Sequence, residues 1–215
     1  LEDMQQRLLE RGHNCIALHS AAVDRRTYLE RPDLGRRLDK ASARQLTERA
    51  AAPPGTYDAA FVIADGLSAL AVERHAISLL DAVLPLLAPE EWRIAPHTVV
   101  EHARVAISDE IGAVLGANQV VLLIGERPGL SAPDSLGVYL TYGPKPDNTD
   151  ADRNCISNIR AEGLSYAEAA HKLRYLMHAV RERGLSGVTV KDESTPFGQV
   201  SARDARLERN FLVSG

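Results

Sequence analysis

Glu126 and Arg127 stand together in Gly-Glu-Arg-Pro-Gly (125–129), directly after the apolar run Val120 to Ile124. A carboxylate is a pure acceptor and a guanidinium a five-donor fork, so the pair could grip a polar ligand from two sides. In open α/β sheets ligands bind just beyond the carboxyl ends of the strands, and glycines there let a ligand come close to the backbone. The competing reading is a turn whose charges face water. Asp65-Gly66-Leu67-Ser68 repeats the arrangement after a second apolar run, Ala59 to Ala64. Cys155, in Asp-Arg-Asn-Cys-Ile-Ser-Asn-Ile (152–159), is a thiol within a polar cluster but has no obvious partner histidine. It reads either as a nucleophile or as a small inert residue. His171 and His178 lie seven apart on one helical stretch, a spacing that suggests a metal site or ordinary surface and packing residues. Leu34, Arg36 and Arg37 belong to a segment whose arginines form a solvated face or meet a phosphate near a helix start.

Several familiar chemistries are missing. The sequence has no G-x-G-x-x-G after a strand and no G-x-x-x-x-G-K-[ST], so the usual dinucleotide and triphosphate cradles are absent. It also has no H-E-x-x-H, no C-x-x-C and no G-x-S-x-G. No complete catalytic constellation is legible and no catalytic or metal-binding residue is assigned, which favours a binding role.

The elements that must position these residues alternate. Residues 1–12 read as a helix with Leu1, Met4, Leu8 and Leu9 on one side, ended by Gly12. Strands are expected at 15–19, 59–64, around 97–101, at 120–124, 137–143 and 187–190. Helices are expected from Asp33 to Ala51 (with Leu34, Leu38, Ala41 and Leu46 inward), at 68–87, 109–115 and from a capping box at Ser165–Glu168 to Gly184. Pro85 should kink its helix. Residues 145–152 read as a polar loop that leads to the 152–159 cluster, which is unusually polar for a plain connection. Strands separated by such helices imply βαβ units. The expected class is α/β and Rossmann-like: a mainly parallel sheet with helices on both faces, preceded by a helical N-terminal segment. The expected division is a helical remnant at 1–14, a ligand-binding domain at 15–192 and a charged tail at 193–215. The stretch from Lys191 onward is expected to be partly ordered or to dock on a partner.

Bulk properties bound the function. The chain has 215 residues, ordinary hydrophobic and charged fractions of 45% and 25%, and a net charge of −4. That is enough chain for a substantial core, and the charge leaves no electrostatic footprint for nucleic acid. No apolar run approaches the roughly 20 residues of a membrane helix. Neither a signal peptide nor an initiator Met is present, so the chain is expected to start inside a longer protein. Two widely spaced cysteines fit a reducing cytoplasm.

The segments 27–38, 63–72, 104–117, 122–142 and 151–159, in that order, resemble the small subunit of ethanolamine ammonia-lyase. The most specific of them are GERPGL and DRNCISNI. The likeness runs from about residue 27 to residue 192, and the family's longer N-terminal helical region is absent here. The resemblance implies an adenosylcobalamin-dependent lyase that converts ethanolamine into acetaldehyde and ammonia. It implies a large β/α-barrel subunit as partner, which holds ethanolamine, and a small subunit that closes over cobalamin at the interface. It also implies cofactor contacts at Val105 in RVAI, Glu126 in GERPGL and Cys155 in DRNCIS. The family keeps the cofactor's own base on cobalt, in line with the missing D-x-H-x-x-G of mutases that supply a histidine. The chemistry of the three residues is compatible with those contacts: an apolar face, an acceptor at a strand end, and a polarisable side chain. All three are expected near the carboxyl edge of one sheet. The implied location is the cytoplasm, free or within a bacterial microcompartment. A stand-alone α/β enzyme using Glu126 or Cys155 and a purely structural assembly subunit are the alternatives.

Overall fold

The computed structural model describes residues 2–130 and 132–194. Most of the tail expected to be weakly ordered lies outside them, as does Leu1. Helix α1 (Glu2–Glu10) leads into β1 (Cys15–His19). Helices α2 (Arg25–Glu30) and α3 (Lys40–Ala50) precede β2 (Tyr57–Ala64), α4 (Ala69–Leu87) precedes β3 (His97–Glu101), and α5 (Ile107–Val114) precedes β4 (Ala117–Gly125). Strands β5 (Leu136–Tyr142) and β6 (Arg153–Ile159) follow, then α6 (Tyr166–Arg183).

The six strands form one sheet in the order β1-β3-β2-β4-β5-β6. The first four run parallel, while β5 is antiparallel to β4 and to β6. The α/β class and the two-sided cover thus agree with expectation, and the Rossmann-like pattern holds in the parallel half. The remainder is antiparallel for a simple reason. The connections 126–135 and 143–152 carry no α-helix and are shorter than the dozen or so residues a parallel crossover needs.

Alternation along each strand divides the core. Ala59, Phe61 and Ile63 of β2 pack with α1, α4 and α6, through Met4, Leu8, Leu79, Leu80, Leu173 and Met177 among others. Ala60, Val62 and Ala64 face the other way and pack with α3 and α5, through Leu46, Ile107 and Ile111. Runs without polar alternation are what a strand buried on both faces requires. Caps set the helix starts: Asp24, Asp39, Ser68 and Ser165 each accept a backbone N–H of the first turn. The capping box at Ser165 and Glu168 is present, and Gly184 ends the helix in the left-handed conformation.

Four local expectations need correction. Leu9 is exposed and only Met4 and Leu8 of α1 enter the core. The helix expected from Asp33 starts at Lys40, because the Asp39 side chain caps it there, and a short 3₁₀ turn at Leu34–Arg36 precedes it; Ala41 accordingly lies on the exposed side. The 152–159 cluster is the edge strand β6. Residues 187–190 are not a strand. Gly187 has φ +93°, and the segment bonds to the Asn154 side chain: Gly187 N–H donates to its Oδ1 (2.8 Å) and its Nδ2 donates to the Val190 carbonyl (2.7 Å).

At the carboxyl ends of β2 and β4 two glycines touch. A Cβ on Gly125 would lie 2.0 Å from the Ser68 carbonyl oxygen, and one on Gly66 would lie 2.3 Å from the Gly125 oxygen. Gly12, also left-handed at φ +79°, has nothing near its missing Cβ. Urea denaturation should therefore separate the two. Gly125→Ala is expected to cost about 3 kcal/mol, from overpacking that no flexible side chain can relieve. Gly12→Ala should cost only about 1 kcal/mol, from its backbone conformation alone.

Candidate functional site

An open cleft of about 320 Å³ lies over the carboxyl ends of the parallel strands. Each strand contributes through the segment that leaves it: Tyr28 after β1, Gly66 and Leu67 after β2, Arg104 and Val105 after β3, Glu126 and Arg127 after β4. Tyr139 of β5 closes one side. Helix α4 leaves β2 on one face of the sheet and α5 leaves β3 on the other, so the cleft sits where neighbouring connections part, as the crevice rule for such sheets requires.

The walls are held by backbone-directed polar bonds. Asp65 accepts the N–H groups of His102 (3.0 Å) and Ala103 (3.1 Å), which fixes the turn after β3. Arg25 donates to the carbonyls of Gly66 (2.7 Å) and Leu67 (2.9 Å). The Leu67 N–H donates to the Gly125 carbonyl at 2.9 Å. The Tyr28 ring is buried under two guanidinium groups, with Arg104 4.3 Å and Arg25 4.7 Å from its centroid, a cation–π arrangement. Burial raises the Tyr28 phenol pKa, and its hydroxyl has no hydrogen-bond partner.

Two of the three residues expected from the sequence meet in this cleft. Val105 is half-buried on the β3 side and Glu126 half-buried on the β4 side. Glu126 Oε2 accepts from Ser135 Oγ and from the Asn158 N–H (3.2 Å). Oε1 occupies room that a side chain at residue 137 would remove, since a Cβ on Gly137 would lie 2.9 Å from it. Cys155 is placed differently. It sits within β6, directly opposite Tyr139, which is itself opposite Leu122 in the middle of β4. It is therefore not at the carboxyl edge, and it reaches the cleft only through Tyr139. Burial and the neighbouring Cys155 push the Tyr139 phenol up to about 12. The rest of the 152–159 motif is structural: Arg153 makes a buried ion pair with Asp109 of α5, and Asn154 anchors 187–190.

Tyr28 and Arg104 were not singled out from the sequence. They come from the connections after β1 and β3, far apart along the chain, and no local pattern marks their stacking. The Asp65-Gly66 strand end did carry a signal, and both residues frame the cleft. His178 lies away from it, against Glu90 (2.5 Å) and the Trp92 ring (5.3 Å). Among the described residues no cluster of His, Cys, Asp or Glu is gathered for a metal ion, and no described helix is long and apolar enough to cross a membrane.

The lining suits one edge of a large amphipathic ligand. Val105, Leu67 and Ile124 offer apolar surface, Glu126 Oε1 an acceptor, and Arg104 a donor whose buried Nε has no acceptor. A volume near 320 Å³ is at the lower end for small-molecule sites.

The family model for the ethanolamine ammonia-lyase light chain matches residues 1–191. An ethanolamine ammonia-lyase small subunit from Pseudomonas fluorescens is 54% identical over 98% of this chain and 77% of its own length. One from Pseudomonas syringae is 56% identical over 97% of this chain and 74% of its own length. One from Xanthomonas campestris is 54% identical, covering 98% and 78% respectively.

The two thiols differ in environment. Cys15 is buried, and that burial pushes its pKa up to about 11, whereas Cys155 is exposed; both are free. At pH 8 a thiol reagent is expected to label Cys155 rapidly in the native chain and Cys15 only after denaturation. Mass spectrometry of labelled peptides checks this; rapid native labelling of Cys15 would contradict the placement of β1.

Proposed function

This chain belongs to the ethanolamine ammonia-lyase light-chain family, and we propose that it holds one edge of adenosylcobalamin against a large barrel subunit. As a small subunit it is part of an ammonia-lyase complex. In the proposed reaction the complex converts ethanolamine, bound in the large subunit, into acetaldehyde and ammonia. The bound cofactor would supply the radical chemistry of that rearrangement. This chain's residues would bind and shield: Val105 offers an apolar face, Glu126 Oε1 accepts from an amide arm or a ribose hydroxyl, and Cys155 packs behind Tyr139.

The observation that carries this reading is the incomplete cleft and its rim. Val23 and Leu29 after β1, Leu70 in the first turn of α4, and Leu130 after β4 are all exposed, Val23 at 78%. They lie on the same connections that line the cleft. Exposed apolar side chains on the connections that line an open, one-sided ligand site suit a surface that closes on a partner. Free cysteines accord with the cytoplasm as location, whether the complex is free there or enclosed in a microcompartment.

Because the cleft covers one side only, affinity for the cofactor and affinity between subunits are coupled and must strengthen each other by the same factor. Calorimetric titration with adenosylcobalamin should give binding at least about tenfold tighter for the reconstituted complex than for this chain alone. Equal affinities, or acetaldehyde release by the isolated chain, would overturn the interface reading in favour of a stand-alone enzyme. In the complex, Val105→Trp should abolish cobalamin uptake while costing the fold only about 1–3 kcal/mol; normal uptake would mean that Val105 does not face the cofactor.

A further inference from the structure

Arg104 carries a charge that the protein leaves unanswered. Its stem fits because residue 35 is glycine: a Cβ there would lie 2.8 Å from Arg104 Cγ. Its backbone N–H donates to the Gly35 carbonyl at 2.7 Å. Its guanidinium lies over the Tyr28 ring and donates through Nη2 to the Tyr28 carbonyl at 3.1 Å. These contacts hold the fork in one place, yet its Nε is buried without an acceptor. Among the described residues no carboxylate pairs with it.

Carboxylates on the surrounding segments bond elsewhere, although Glu126 Oε1 is left open. Asp65 holds two backbone N–H groups and lies 3.9 Å from Arg25. Glu110 Oε2 accepts from the Leu38 N–H at 2.9 Å, and Glu126 Oε2 is taken by Ser135 and Asn158. Arg153, outside the cleft, shows the contrast: its side chain is almost wholly buried and is paired with Asp109. Arg127, exposed and without an ion pair among the described residues, adds a second positive group to the same cleft. A half-buried, pre-positioned guanidinium with an unsatisfied donor is costly unless an acceptor arrives, and planar forks suit phosphate oxygens.

We propose that Arg104, held by Tyr28 and Gly35 and assisted by Arg127, is an anion-binding residue of this cleft that takes a phosphodiester oxygen of the ligand. Resting on the cofactor reading, that group is the phosphodiester of the cobalamin nucleotide. Free inorganic phosphate shares the chemistry and is a separate arm of the test.

The reconstituted two-subunit complex is titrated with cobinamide, which has no phosphate, and with cobinamide phosphate. The wild type is expected to prefer cobinamide phosphate by about tenfold, the scale of a charge-assisted bond in a partly dry site. R104Q should erase that preference, and R104K should retain part of it. A wild type that fails to distinguish the two ligands, or a correctly assembled R104Q that keeps the full preference, overturns the proposal. Should R104Q not assemble, the wild-type salt dependence decides: the preference must shrink as KCl is raised, and a salt-independent preference overturns the proposal. If the wild type binds no corrinoid, yet inorganic phosphate raises its unfolding temperature more than that of R104Q, the anion site stands and the cofactor reading falls. If phosphate protects neither, the anion site falls as well.

Discussion

The architecture of the cleft depends on a backbone contact that no side chain can enter. Gly66 and Gly125 end adjacent parallel strands and approach so closely that neither tolerates a Cβ. The Leu67 N–H bonds to the Gly125 carbonyl across this contact. The chain leaving β2 is thereby pinned under the chain leaving β4, and the floor of the cleft is backbone. Gly66 also needs its left-handed φ of +57°, a conformation glycine adopts without a steric penalty. The loops above this floor can vary their chemistry only because the floor is fixed.

A second constraint ties the antiparallel half to the parallel half. Arg153 at the start of β6 reaches Asp109 at the start of α5, and both side chains are almost wholly buried. Burial raises the Asp109 pKa, opposed by the Arg153 guanidinium. Such a pair contributes little net stability over apolar packing, but removing one partner strands the other. Its consequence is geometric: it sets where β6 lies against the sheet, and hence where Asn158 meets Glu126 and where Cys155 faces Tyr139. As an edge strand β6 would be open to unwanted pairing. Residues 186–190 cover its beginning through Asp152 and Asn154, and Leu164 bridges to Ile159 at its end.

Electrostatically the cleft is uneven in a chain of net charge −4. Asp65 and Glu126 Oε2 bond to the protein itself and brace its loops, while Glu126 Oε1 stays open. Asp134 adds to this bracing below the rim: Arg74 bonds to it at 2.7 Å and holds its carboxyl below the usual range, and His75 lies 3.4 Å away. Arg104, half-buried over Tyr28, and the exposed Arg127 have no carboxylate partner among the described residues. The connections that line the cleft also carry the exposed side chains of Val23, Leu29, Leu70 and Leu130.

Much was decided by sequence alone, wherever the chemistry is local. β1 spans Cys15–His19 and β3 spans His97–Glu101, as the apolar runs and Pro96 implied. The Ser165–Glu168 box starts α6 and Gly184 stops it, because caps act within one turn. Glu126 at the end of a doubly buried strand was legible for the same reason. What needed partners distant in sequence was decided only by the tertiary structure. The 152–159 segment looks polar, yet it pairs with β5 as a strand, and an irregularity in that ladder brings Ile156 and Ile159, three residues apart, to one face against a core built by α4 and α6. Residues 187–190 look like a strand, yet the ladder place beside β6 is taken by an Asn side chain. Tyr28, Arg104 and Glu126 meet because the four parallel strands β1, β3, β2 and β4 end side by side, an adjacency set by crossovers and glycine contacts that leave no trace in local composition.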